Sequence, residues 1–184
     1  MTDPQPVRVF VGLKLAPQIA EELAALARPL ERHGARFVSS ADIHLTLVPP
    51  WNETHITEVI ETLRSTVRAF PRFSLSFTHL RYGPGPRYPR LLWVDCPTSN
   101  ELNDLRTALL TAYGRTDSRP FQPHVTLARI PSGGRVLAQR NPMDRVLSLT
   151  QCVASVELFQ SRPRGKDGYQ LLASLPLGTK PCHQ

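Results

Sequence analysis

Apolar residues recur along this chain with two periods, and each switch of period marks an element. Val7, Val9, Val11 and Leu13 alternate with Arg8, Phe10 and Gly12, which predicts a strand with one apolar face. After Pro17, which suits the first turn of a helix, Ile19, Leu23, Leu26 and Leu30 follow at helical spacing. Pro29 should shorten the last turn and Gly34 should stop it. Residues 35–39 read as a short strand and Ser40-Ala41-Asp42 as a turn. Strict alternation returns in Asp42-Ile-His-Leu-Thr-Leu-Val48, and Pro49-Pro50 should then turn the chain. Asn52 is placed to cap a second helix, with Ile56, Val59, Ile60, Leu63 and Val67 on its buried face and Pro71 at its end. Phe73, Leu75 and Phe77 point inward from a strand over 73–78.

A basic, aromatic loop over 81–90 leads to a strand over 90–95, rich in Leu, Trp and Val. Thr98-Ser-Asn-Glu101 has the form of a capping box with Thr98 as the cap. The helix it opens carries Leu102, Leu105, Leu109 and Ala112 on one side and stops at Gly114. Phe121-Gln-Pro-His-Val-Thr-Leu-Ala-Arg129 alternates again, and Ser132-Gly-Gly134 breaks the pattern. Residues 135–144 are ambiguous between loop and a short helix interrupted by Pro142. Strands are expected over 152–160 and 168–175, joined by a basic loop over 161–167, and the chain from 178 reads as a loose tail. The order strand, helix, strand, histidine strand thus occurs about twice. It predicts an α+β fold in one domain spanning 1–184, each half a sheet with helices on its outer face and a cleft between the open faces.

The candidate chemistry lies in the two alternating runs. His44-Leu-Thr46-Leu47 and His124-Val-Thr126-Leu127 each put an imidazole and a hydroxyl on one face of a strand and apolar residues on the other. One such pair would be unremarked, since a lone strand histidine is more often solvated or satisfied in a core. Two in matching context point to a general acid–base pair, because one imidazole can be neutral and the other protonated near neutral pH. Transfer at phosphorus needs this, with attacking and leaving oxygens roughly in line. Arg129 could stabilise the added negative charge. Strict alternation, however, puts Arg129 on the face away from His124, so it reaches the site only if the strand ends or bulges before Pro131. His33, His55, His79 and His183 have no such context and read as structural or surface residues.

Composition changes the picture little. At 41% hydrophobic and 20% charged, the 184 residues are those of an ordinary globular protein. The 22 Lys and Arg exceed the 15 Asp and Glu, for a net charge of +7, and most of the cations are Arg, whose fork suits phosphate. A polyanionic partner and a mere solubility device explain that charge equally well. Three widely spaced cysteines form neither a disulfide framework nor a zinc pattern, and, Asp42 aside, the motifs lack acidic or histidine partners at metal-ligand spacing. No apolar run is long enough to span a membrane, and the first residues lack a signal design, so a cytoplasmic, monomeric protein is expected.

The paired His-x-Thr-Leu motifs resemble those of the two-histidine (2H) phosphoesterase superfamily, and in particular the RNA 2′,3′-cyclic phosphodiesterases also called 2′-5′ RNA ligases. Residues 7–13 are similar to the family's first strand, 73–96 to its hairpin, Pro123-His-Val-Thr-Leu-Ala-Arg129 to its second motif, and Ser161 with 169–176 to its C-terminal hairpin. The resemblance implies two lobes about a pseudo-twofold axis, catalysis with no metal or other cofactor, and RNA ends with a 2′,3′-cyclic phosphate as substrate, such as tRNA halves. It implies His44 as general acid, His124 as general base, and Thr46, Thr126 and Arg129 as phosphate ligands. After the first motif the chain departs from the family's pattern, with Val48-Pro-Pro-Trp-Asn52, so the usual base-contacting aromatic is missing at its place. Trp51 and Tyr82 are the candidates to stack on the base in its stead. The alternatives are 2′-5′ ligation at the same site, a small cyclic nucleotide or cyclic ADP-ribose phosphate substrate, and a non-catalytic RNA- or nucleotide-binding module.

Overall fold

The computed structural model describes residues 5–85, 88–130, 134–162 and 168–179. The chain begins with β1 (Val7–Lys14) and α1 (Pro17–Leu26), then a 3-10 turn (Arg28–His33) that ends on Gly34 at φ 70°, a conformation glycine adopts without penalty. Next come β2 (Arg36–Phe37), β3 (His44–Glu53), α2 (Ile56–Val67), β4 (Phe73–Gly83), β5 (Leu91–Asp95), α3 (Asn100–Ala112) and β6 (His124–Arg129). The chain closes with α4 (Gly134–Arg140), β7 (Asp144–Val153), β8 (Ser155–Ser161) and β9 (Tyr169–Pro176).

The strands lie in the order β7-β4-β5-β6-β3-β1-β8-β9, with β2 paired to β6, and all of these pairings are antiparallel. Read outward from the centre, both halves follow one plan: a histidine strand, then a strand from earlier in the chain on the far side of a helix (β1 beside β3, β5 beside β6), then two more. This is the pseudo-twofold of an α+β fold. The halves join where β3 meets β6 through one register pair, Leu45 opposite Val125. The two histidine strands are therefore neighbours at the middle of the sheet. The first half is built from both ends of the chain, since β8 and β9 complete the sheet that β1 and β3 begin.

The apolar face of the sheet carries the core, in which Leu45, Leu63, Leu105, Val125 and Leu158 are all fully buried. Burying a leucine side chain contributes about 1.5–3 kcal/mol, so a face of this kind holds the helices to the sheet. The Tyr113 hydroxyl, just past α3, donates to the Val59 carbonyl of α2 at 2.9 Å and joins those two helices. Glu157 is buried but fully engaged: its carboxylate accepts from the Lys14 amide and from the Ser155 and Ser174 hydroxyls. Gln151 similarly accepts from the Ala16 amide and donates to the Lys14 carbonyl, tying β7 to the turn after β1.

Several boundaries differ from those the sequence predicts. β3 does not turn at Pro49-Pro50 but runs on to Glu53, because Val11 pairs with Val48 while Val9 pairs with Trp51. Three residue steps on β3 thus face two on β1, and the prolines sit in a bulge where the ladder asks for no amide donor. Asn52 is consequently inside the strand, and the helix cap falls on His55, with the Glu53 carboxylate accepting from the Thr54 and His55 amides. At α3 the cap is Ser99, not Thr98: its hydroxyl accepts from the Leu102 amide at 3.2 Å. Residues 152–160 do not form one strand, since β7 and β8 divide at Ala154. Cys152 takes part in a disulfide, which three widely spaced cysteines did not suggest, and Cys96 is a buried free thiol. Gly178, expected in the tail, is fixed by its amide donating to the Phe70 carbonyl at 2.7 Å; residues 180–184 of that tail, with His183, lie outside the described residues.

Candidate active site

His44 and His124 are the first residues of β3 and β6, and the same local geometry holds both. The Nδ1 of His44 donates to the Asp42 carbonyl at 2.7 Å, and the Nδ1 of His124 donates to the Gln122 carbonyl at 2.7 Å. A carbonyl only accepts, so each Nδ1 carries the proton and each Nε2 is the nitrogen left for chemistry. Leu45 and Val125 point into the core opposite each other. Extending that register one residue each way sets Thr46 against His124 and His44 against Thr126. The four side chains then form a rectangle on the other face, histidines on one diagonal and threonines on the other. All four line one cavity of about 280 Å³, with Arg8, Phe10, Arg129, Ser161 and Tyr169.

Arg129 reaches this cavity because β6 bulges. Trp93 pairs with Thr126 but Leu92 pairs with Ala128, so β6 spends one extra residue and Leu127 and Ala128 are both buried. The shift reverses the alternation and returns Arg129 to the face of His124. The twin strand does the same: Gly12 pairs with Thr46 and Val11 with Val48, and Leu47 and Val48 are both buried. The residue there that corresponds to Arg129 is Pro49, so Arg129 has no positional counterpart on β3, and the other guanidinium of the cavity, Arg8, comes from β1.

Aromatic rings hold both imidazoles. His44 has the Phe10 ring at 4.8 Å and the edge of Tyr169 at 5.0 Å, while His124 lies against Trp93 at 4.2 Å. The Asp42 carboxylate accepts from the Tyr169 amide at 3.1 Å and clamps the start of β9 beside His44. On the other side Asp95 is opposite His124 in register and binds Arg81 through both carboxylate oxygens. The pKa of each histidine is lowered, first by burial. The Asp42 backbone bond and carboxylate oppose this at His44, and Arg129 and His124 add to it. At His124 the Gln122 carbonyl and the Asp95 carboxylate oppose it, and Arg81 adds to it.

The two expected base platforms stand elsewhere. Trp51 is buried at 5% exposure, donates to Glu53, and packs on Tyr113 at 5.1 Å with the Arg115 guanidinium over its ring. The bulge at Pro49-Pro50 turns it to the helix side of the sheet. Tyr82 is half-buried and its hydroxyl donates to the Asn141 carbonyl at 2.8 Å. Neither lines the cavity, whereas Phe10 and Tyr169 do. Phe10 had a signal in the sequence, as the one aromatic on the polar side of β1. Trp93 and Asp95 had none, because their value comes from register with β6.

Among the described residues no three His, Cys, Asp or Glu side chains converge as metal ligands, and no helix is long and apolar enough to cross a membrane.

Residues 15–145 match the family model of the 2′-5′ RNA ligase superfamily. The RNA 2′,3′-cyclic phosphodiesterase of Thermotoga maritima is 28% identical over 67% of this chain and 70% of its own length. The protein of that name from Methanothermobacter thermautotrophicus is 25% identical over 85% of both chains. Among solved structures, E. coli LigT complexed with 3′-AMP superposes with a TM-score of 0.72 at 22% identity, covering 95% of this chain and all of that one.

Proposed function

The chain belongs to the 2′-5′ RNA ligase superfamily, and on that premise we propose that it opens RNA 2′,3′-cyclic phosphate ends to 2′-phosphates, with His124 as general base and His44 as general acid. The observation that carries this reading is the diagonal pair of imidazoles, both with Nδ1 held by a carbonyl two residues back. Support comes also from the relatives named RNA 2′,3′-cyclic phosphodiesterase. Water attacks phosphorus and gives its proton to the neutral Nε2 of His124. The bond from phosphorus to O3′ breaks, and O3′ takes the proton from the Nε2 of His44. One P–O bond forms and one breaks, and exchange with solvent returns the proton that has moved between the rings. Thr46 and Thr126 donate hydrogen bonds to the non-bridging oxygens, and Arg129 balances the charge that builds on them. Proton transfer and the arginine do the work without a metal. The 184 residues act as a single bilobal domain.

An oligoribonucleotide with a 2′,3′-cyclic phosphate end, incubated in excess EDTA and followed by phosphorus NMR, tests the reading. A 2′-phosphate is expected. A 3′-phosphate would reverse the two histidines, a joined 2′-5′ product would make ligation the activity, and loss of turnover on chelation, restored by zinc or manganese, would sink the metal-free mechanism.

A further inference from the structure

The cavity at the histidines is one arm of a longer cleft. A second cavity of about 830 Å³ opens from it and shares Thr46, Pro50, His124 and Arg129 with the first. It runs along the β5–β6 side, past Trp93, to Arg90, Arg106, Arg119 and Phe121. Among the described residues its one carboxylate is Asp117, already engaged by two of those cations: Arg106 donates to it at 3.0 Å and Arg119 at 3.1 Å. The Arg106 guanidinium also lies over the Phe121 ring at 4.3 Å, so it is fixed from two sides. Three guanidiniums against one neutralised carboxylate leave this wall with excess positive charge. Proline and aromatic surfaces line the space between it and His124.

A wall that is apolar near the reacting centre and cationic further out fits a nucleoside followed by a phosphate. The smaller arm has room for the cyclic phosphate and its ribose, but not for a chain. Resting on the hydrolytic reading above, we infer that the larger arm is a second nucleotide subsite, which binds the phosphodiester one nucleotide upstream of the cyclic phosphate. Hydrolysis involves a single RNA strand, so a nucleotide in that arm belongs to the strand being opened. Arg119 and Arg90 contact the upstream phosphate, and Arg106 is the positioning residue that holds Asp117, and through it Arg119, in place.

The test compares kcat/KM for a mononucleoside 2′,3′-cyclic phosphate with that for a dinucleotide ending in the same cyclic phosphate. The wild-type protein is expected to prefer the dinucleotide by roughly tenfold or more, the effect of one or two charge-assisted hydrogen bonds. Arg119→Ala and Arg90→Ala, both at exposed positions, should bring that ratio towards one. Arg64→Ala on α2 removes the same charge away from the cleft and should leave the ratio as it is. Equal turnover of both substrates by the wild type would overturn the subsite while leaving the cyclic phosphodiesterase reading intact. So would a preference that survives both cleft substitutions. Failure to open either substrate would instead overturn the hydrolytic reading, and the subsite with it.

Discussion

His44 and His124 begin their strands in the same way, yet their surroundings differ in charge. Asp95 stands opposite His124 in register, whereas the corresponding position opposite His44 is Lys14. If the two rings act as a unit, His44→Ala and His124→Ala should each abolish nearly all turnover, and the double variant should be little worse than either; near wild-type turnover in either single variant would end the assignment. Burial lowers both pKa values from 6.5, so in the free protein each ring loses its proton at a more acidic pH than an exposed histidine would. The bell in kcat/KM should therefore centre on the acid side of 6.5. A bound phosphodiester anion favours imidazolium and pulls both values up, so the bell in kcat should lie at higher pH. Asp95→Asn removes a group that raises the His124 pKa and strips Arg81 of its partner, which then lowers it further. Both changes have one sign. With His124 as base, the acidic limb should move to lower pH while the other limb stays. Movement of the basic limb instead would show that the histidines have exchanged roles. These side chains were legible in the sequence as far as period two extends: His44, Thr46, His124 and Thr126 fall where alternation places them. Arg129 was not, because alternation alone directs it away and the bulge that returns it depends on pairing with β5.

At the scale of elements, the same distinction between local pattern and pairing separates what could be read from what could not. Helices with strong stripes, such as the one carrying Val59, Leu63 and Val67, appear where their period puts them. β7 was missed because it lies at the edge of the sheet, and most of it is exposed, so its alternation is faint. β3 is legible up to Val48, but not its continuation to Glu53, because its prolines carry a turn signal that partner strand β1 overrides with a bulge. The join of β1 to β3 also makes a sharp demand on one residue. A Cβ on Gly12 would stand 2.6 Å from the Leu45 carbonyl oxygen and 3.5 Å from the His44 ring. The oxygen belongs to backbone at the seam of the sheet and has little room to retreat. Gly12→Ala is therefore expected to destabilise the fold by about 1–3 kcal/mol, the usual cost of overpacking. It should also lower turnover in the fraction that remains folded, because the strand it displaces begins with His44. Denaturant melts together with kcat measured well below the transition would check this; a variant with unchanged stability and unchanged kcat would show that the strands part without effect.

Across the whole molecule the net charge of +7 admits two accounts, a diffuse attraction for RNA or a local grip with incidental charge elsewhere. The structure puts Arg8 and Arg129 in the smaller arm of the cleft and Arg90, Arg106 and Arg119 in the larger, all along one path through His124. Arg64 stands apart from that path on α2, beside Glu61. The two accounts differ in how salt acts on substrates of different length. Each phosphate neutralised on a single strand contributes a slope of about −0.7 to log affinity against log salt, through release of counterions. A diffuse field would make that slope steeper with every nucleotide added. A grip confined to the cleft would steepen it from a mononucleotide to a dinucleotide, as the arginines of the second arm are engaged, and then hold it level. The level response is expected, measured as the equilibrium affinity of the His44→Ala protein for cyclic-phosphate ends of one to six nucleotides between low and moderate salt. A slope that keeps growing beyond two or three nucleotides would assign binding to the surface as a whole. A flat response at every length would leave only the terminal nucleotide gripped.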